Sequence, residues 1–118
     1  MTLFVADLQA SRRFYGDGLG LEPVWEGPSF VLLAAPGAGR TGCRLGLHAT
    51  DDPARRSAGV DLHLEVEDLD AAVQAAAARG VRFLGPAERR PWGARSAVAL
   101  DPDGHRVELV AWDPGAAP

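Results

Sequence analysis

Two stretches of this chain can be laid over one another. Val5-Ala6-Asp7-Leu8-Gln9-Ala10-Ser11 aligns with Val66-Glu67-Asp68-Leu69-Asp70-Ala71-Ala72 at an offset of 61, close to half of the 118 residues. A self-match at that period implies a duplicated structural unit of about 60 residues, and whatever one copy folds into, the other must be able to fold into as well. The copies are expected at 1–50 and 60–112 within one domain (1–118). The stretch 51–59 (Asp51-Asp52-Pro53, then Arg55-Arg56) would link them, and 113–118 would form a mobile tail.

Each copy opens with an alternating strand. In the second, Val60, Leu62, Leu64 and Val66 share one face and Asp61, His63 and Glu65 the other. Period-two alternation means that one face packs and the other meets solvent or a ligand. Asp7 and Asp68 then stand where a helix begins, and a carboxylate there accepts orphan backbone N–H bonds. From Leu69 the apolar positions run Leu69, Ala72, Val73, Ala76, and Gly80 falls where a C′ glycine belongs. In the first copy Leu8, Ser11, Tyr15 and Leu19 form the stripe, and glycines at 16–20 predict a loose end. Short strands follow, at 21–26, 29–35 and 43–49, then 81–85, 92–100 and 105–111. Asp101-Pro102-Asp103-Gly104 reads as a tight turn. The expected class is therefore α+β: two strand–helix–strand–strand–strand modules, with helices on one sheet face and the other face free.

Composition narrows the function. With 47% hydrophobic residues the chain can build its own core. Surface scaling gives about 6,100 Å² exposed on folding against roughly 18,000 Å² for the open chain. All 12 basic residues are Arg, and Lys, Asn and Ile are absent, a bias expected of a GC-rich, bacterial coding sequence. A net charge of −4 does not draw nucleic acid, and no Arg stripe interleaved with aromatics occurs. No apolar run approaches a bilayer span, and the N-terminus has no basic n-region, so the expected location is the cytoplasm, with no membrane partner. A single cysteine, Cys43, excludes an internal disulfide and a multi-Cys zinc site; it is expected as a half-buried filler.

The phrases VADLQASRRFYGDGLGL, VDLHLEVEDLDAAVQAAAARGVRF and PWGARSAVALDPDGHRVELV, which together cover most of the chain, resemble the vicinal oxygen chelate superfamily of glyoxalases, bleomycin-resistance proteins and extradiol dioxygenases. The resemblance implies paired βαβββ modules whose curved mixed sheets surround a concave cavity, commonly in a homodimer. In metal-dependent relatives, one ligand lies on the first and one on the last strand of each module. Carried over one at a time, these positions are Glu108 and Asp61 in the second copy and Gly46 in the first. The fourth falls before Met1, where only an upstream start would supply it. Two carboxylates without imidazole make a poor transition-metal set, suited at best to Mg²⁺ or Ca²⁺ held through water.

Strand parity places Arg106 with Glu108, His63 and Glu65 with Asp61, and Arg44 and His48 with Gly46 on the free face. Charges that pair across a solvated sheet face are one reading of this set; convergent polar groups of a ligand pocket are the other. An imidazole can serve as acid or base near neutrality, so His48 and His63 could join Glu108 in a non-standard metal or acid–base site. His105, of opposite parity, is expected to be exposed. Trp25, Trp92 and Trp112 offer aromatic walls, or rim and dimer packing. The expected ligand-binding residues are His48, Asp61, His63, Trp92, Arg106 and Glu108; no catalytic residue is assigned, and no cofactor is required. The two arginines suit a carboxylate or phosphate on the ligand. The leading expectation is a metal-free protein that binds a small molecule, an antibiotic or a metabolite. A divalent-metal lyase, isomerase or dioxygenase, using Glu108 with His63 and His48, is the alternative, and a regulatory domain with a vestigial cavity is a third.

Overall fold

The computed structural model describes residues 1–38 and 42–115, and it falls into two compact units, Met1–Gly59 and Val60–Pro118. Unit 1 runs β1 (Thr2–Val5), α1 (Leu8–Arg12) continued by a π-helical turn (Arg13–Gly18), β2 (Glu22–Glu26), β3 (Phe30–Ala34) and β4 (Arg44–Ala49). Unit 2 runs β5 (Asp61–Glu65), α2 (Leu69–Ala78), β6 (Glu88–Arg90), β7 (Ala94–Leu100) and β8 (Arg106–Trp112). Each forms a four-stranded mixed sheet, β1-β4-β3-β2 in one and β5-β8-β7-β6 in the other. The first strand pairs parallel with the last, and the remaining pairings are antiparallel. The α+β class and the repeated element order read from the sequence are thus present.

The two aspartates start the helices as expected. Asp7 Oδ1 accepts from Ala10 N at 3.0 Å and Asp68 Oδ1 from Ala71 N at 3.1 Å. Gly80 takes φ +96°, the left-handed conformation that ends α2. In unit 1 the loose end is a π turn. Leu19 N donates to Phe14 O, five residues back, and the turn keeps both Ser11 and Tyr15 fully buried. Helix α1 contacts β3 and β4, and α2 contacts β7 and β8. Leu3, Val5, Val31, Leu33, Leu45 and Leu47 form the core of unit 1; Leu69, Ala76, Ala97, Ala99, Val107 and Leu109 lie in that of unit 2. On this covered side Arg12 of the first helix pairs with Glu26 of β2, which raises the guanidinium pKa and lowers that of the Glu26 carboxyl through the side-chain hydrogen bond and the mutual charge.

Four local expectations are corrected. Residues 81–85 form no strand: Phe83 makes a single bridge to Ala99, and Gly85-Pro86 breaks the run before the short edge strand Glu88–Arg90. His105 is buried, not exposed, because its ring folds back on Asp101, with Nδ1 3.0 Å from Oδ2. Cys43 is exposed just before β4. Asp113, placed in the tail, accepts two hydrogen bonds from Arg89, at 2.5 and 3.2 Å; residues 116–118 lie outside the described part. No described helix is long and apolar enough to cross a membrane.

Candidate functional site

Pairing across a sheet puts register partners on one face, so the ladder assigns every side chain to the helix side or the free side. In unit 2 the free face carries Asp61 beside Arg106, His63 beside Glu108 and Val98, then Val110 beside Ser96. Four of the expected site residues therefore lie on that one face.

Glu108 is its centre. The side chain is 14% exposed and both oxygens are engaged. Oε1 accepts from the Ser96 hydroxyl at 2.5 Å, and Oε2 lies 3.0 Å from His63 Nε2. Ser96 Oγ in turn accepts from Arg90 Nε at 2.6 Å, and Arg90 Nη1 donates to Glu88 at 3.3 Å. This is a closed polar chain, Glu88–Arg90–Ser96–Glu108–His63, ending in a half-exposed imidazole. Its order matters chemically. Ser96 donates directly to a carboxylate with no imidazole between them, so the hydroxyl is not set up as a nucleophile. Glu108 already has its hydrogen-bond partners, and the carboxylate holds His63 in place rather than standing free.

Aromatic rings adjoin this chain. Trp92 lies in the turn between β6 and β7, held by Gly93 at φ +89°, and remains 42% exposed. Its ring stacks with His63 at 6.3 Å and meets Trp112 edge-on at 5.3 Å. Trp112 Nε1 donates to Glu65 Oε1 at 3.0 Å, which fixes that indole plane. Asp61 is only loosely tied, 3.9 Å from Arg106 Nε.

Unit 1 has the same register and a different chemistry. Gly46 takes the place of Glu108 and Thr2 that of His63, since Thr2 pairs with Gly46 on parallel strands as His63 pairs with Glu108. A Cβ on Gly46 would lie 2.9 Å from two carbons of the Phe30 ring and 2.9 Å from Thr2 Oγ1. The ring has filled the space of the missing side chain. His48 sits among aromatics, 5.2 Å from Phe4 and 5.9 Å from Phe30, with Nδ1 2.9 Å from its neighbour's carbonyl. Trp25 lies 6.2 Å from Phe30, and Arg55 caps Phe4 at 5.0 Å. His48 thus belongs to an aromatic face of unit 1, whereas His63 and Glu108 form a polar pair in unit 2.

These residues fit a divalent metal poorly. Each Glu108 oxygen is already engaged, one by Ser96 and one by His63, Asp61 is displaced from it by two residues in register, and Gly46 offers neither a donor nor room for one. Among the described residues no three His, Cys, Asp or Glu side chains are grouped to hold an ion. Ser96 and Arg90 were not among the candidates from sequence. A lone hydroxyl in the apolar strand Ala94–Leu100 was the available signal for Ser96; nothing in the order of residues points Phe30 at Gly46.

The family model of the Glyoxalase/Bleomycin resistance protein/Dioxygenase superfamily matches residues 1–109. Among solved structures the chain is similar to a member of that superfamily from Sphaerobacter thermophilus DSM 20745, at 32% identity over 94% of this chain and 93% of that one, with a TM-score of 0.76. A glyoxalase/bleomycin resistance protein/dioxygenase from Nocardioides is 28% identical over 100% and 84%, also with TM-score 0.76. TnmS3, an antibiotic-binding protein from Streptomyces sp. CB03234, is 26% identical over 96% and 93%, with TM-score 0.72. No curated protein sequence matches the chain.

Proposed function

The chain belongs to the glyoxalase/bleomycin resistance protein/dioxygenase superfamily, and from that premise we propose that it binds a small, flat, largely apolar molecule, an antibiotic or a metabolite, without a divalent metal. The observation that carries the reading is the Phe30 ring seated over Gly46. Where the sheet of unit 2 presents a carboxylate, that of unit 1 presents an aromatic surface. The exposed Trp92, beside a Trp112 fixed by Glu65, offers a second such surface that is already ordered before a ligand arrives. Stacking on rings plus a few oriented polar groups is the usual make-up of a small-molecule pocket. The similarity to an antibiotic-binding protein supports the same reading.

Two measurements test it. Metal content is taken on protein purified without chelator or nickel affinity, and melting is followed with Mn²⁺, Fe²⁺, Co²⁺, Ni²⁺ and Zn²⁺. A native-state ligand at 100 times its dissociation constant adds about 2.7 kcal/mol, roughly 10 °C for a chain of this length. The expected result is no metal and no shift, with tryptophan fluorescence quenched saturably by aromatic antibiotics or metabolites and the response lost in Trp92→Ala. Near-stoichiometric metal with such a shift would overturn the proposal in favour of a metal-dependent lyase, isomerase or dioxygenase. The His63–Glu108 pair favours that second reading, and Glu108→Ala should then abolish turnover.

A further inference from the structure

We propose that unit 2 carries an anchoring site for a small organic carboxylate with an apolar body, in a depression beside Arg106. The proposal rests on the reading of the chain as a small-molecule binder and specifies the charge of the ligand. The depression measures about 220 Å³, with Leu84, Pro86 and Val98 as apolar walls and Glu88, Arg90 and Arg106 as its charged groups. That is below the roughly 300 Å³ at which drug-sized pockets begin, so it suits a small acid or the acidic end of a larger molecule.

The two arginines differ in what they have left to give. Arg90 is spent on Ser96 at 2.6 Å and Glu88 at 3.3 Å, with Glu108 3.8 Å away. Arg106 has its nearest carboxylate, Asp61, 3.9 Å from Nε, and both side chains are more than half exposed. That distance is beyond a hydrogen bond, and an exposed pair of this kind is worth little. Among the described residues no hydrogen bond to the Arg106 guanidinium occurs, so its planar fork is free for a two-oxygen acceptor. Beside it lie Leu100, its register partner on β7, and Leu84, 43% and 61% exposed. One exposed leucine is ordinary. Leu84, which lines the depression, and Leu100, paired in register with Arg106, together match a molecule with an anionic head and an apolar body. A cation is disfavoured by Arg106, and a bare inorganic anion would leave the apolar walls unused.

The test is an NMR titration of the full, metal-free chain with benzoate, benzamide and inorganic phosphate. It reads the methyls of Leu84 and Val98 and the Nε–H of Arg106. Benzoate is expected to shift these signals saturably and to bind at least tenfold more tightly than benzamide or phosphate. Arg106→Gln should erase the preference, and the exposed control Arg82→Gln should keep it. Benzamide or phosphate binding as tightly as benzoate, benzoate binding that survives Arg106→Gln, or no response to any probe would overturn the inference. Quenching of Trp92 by neutral aromatics while the depression stays silent would overturn this inference alone. A strict metal requirement for antibiotic or metabolite binding, with benzoate still bound by metal-free protein, would overturn the proposed function and leave the anchoring site standing.

Discussion

Replacing Gly46 by alanine should destabilise the protein, although alanine is ordinarily the better residue in a strand. Two effects oppose each other. Fixing glycine in a strand costs about 0.5–1 kcal/mol more backbone entropy than fixing alanine, which favours the substitution. Against this, the new Cβ would sit 2.9 Å from Phe30 Cε2 and Cζ and from Thr2 Oγ1, where carbon contacts are optimal near 3.5–4.0 Å. Either the overlap is borne, at a typical overpacking cost of about 1–3 kcal/mol, or the half-buried ring swings away and gives up its contacts with His48 and Trp25. The net expectation is a loss of about 1 kcal/mol, near 4 °C in Tm for a chain of this length, measured by circular-dichroism melting. The sharper readout is a sign change. In a Phe30→Ala background the ring is gone and the remaining close atom, Thr2 Oγ1, belongs to an exposed side chain that can rotate away, so Gly46→Ala should then stabilise by up to about 1 kcal/mol, giving a coupling energy of about 2 kcal/mol in the double-mutant cycle. Equal effects of Gly46→Ala in the two backgrounds, or stabilisation in the native one, would refute the argument that the ring occupies the missing side chain's place.

Ser96→Ala should cost about 1–3 kcal/mol by denaturant unfolding, because Arg90 Nε and Glu108 Oε1 both lose a partner at a fully buried position. Asp68→Ala, which removes the cap at Ala71 N, should cost about 1 kcal/mol, read the same way. Glu26→Gln should lower stability slightly at neutral pH only. The Glu26 carboxyl pKa is lowered in the fold by Arg12, so its contribution is present above the ordinary carboxylate range and is lost as pH falls through the depressed value. Melting of the wild type and the variant should therefore converge in acid, and divergence there would contradict the pairing. Asp101→Ala should cost about 3 kcal/mol or more in a thermal melt, since it strips His105 and two backbone N–H groups of a buried acceptor.

The sequence made legible whatever depends on period and cap. The alternation Leu62-His63-Leu64-Glu65 is enough to say which side chains turn toward α2, because successive residues of a strand must point to opposite faces. Asp7 and Asp68 marked both helix starts because few residues can satisfy an orphan N–H. Partners within a face were not legible. That His63 lies opposite Glu108, and Asp61 does not, depends on the register of a parallel pair whose strands are 45 residues apart in sequence. The Ser96–Arg90 support of Glu108 needed the edge strand Glu88–Arg90, and three charged residues give no alternation to detect. His105 was misplaced because parity stops applying at a turn: Asp101 Oδ1 accepts from the N–H groups of Asp103 and His105, and that geometry brings the imidazole under cover.

The duplication also explains why a match to the family leaves the chemistry open. Two sheets with one register can carry opposite surfaces, because the ladder fixes where side chains point and leaves their identity free. At the paired positions Thr2–Gly46 and His63–Glu108 the backbone relation is the same. One pair is small enough to admit the Phe30 ring; the other binds a histidine to a carboxylate backed by serine and arginine. Phrases such as DPDG-HRVEL and VEDL locate the turns, caps and strands that make the scaffold, and a scaffold by itself does not name a chemistry. Chemistry is decided at positions such as 46, where a glycine opposite Thr2 leaves a seat for the Phe30 ring while the equivalent position in the second sheet presents a carboxylate.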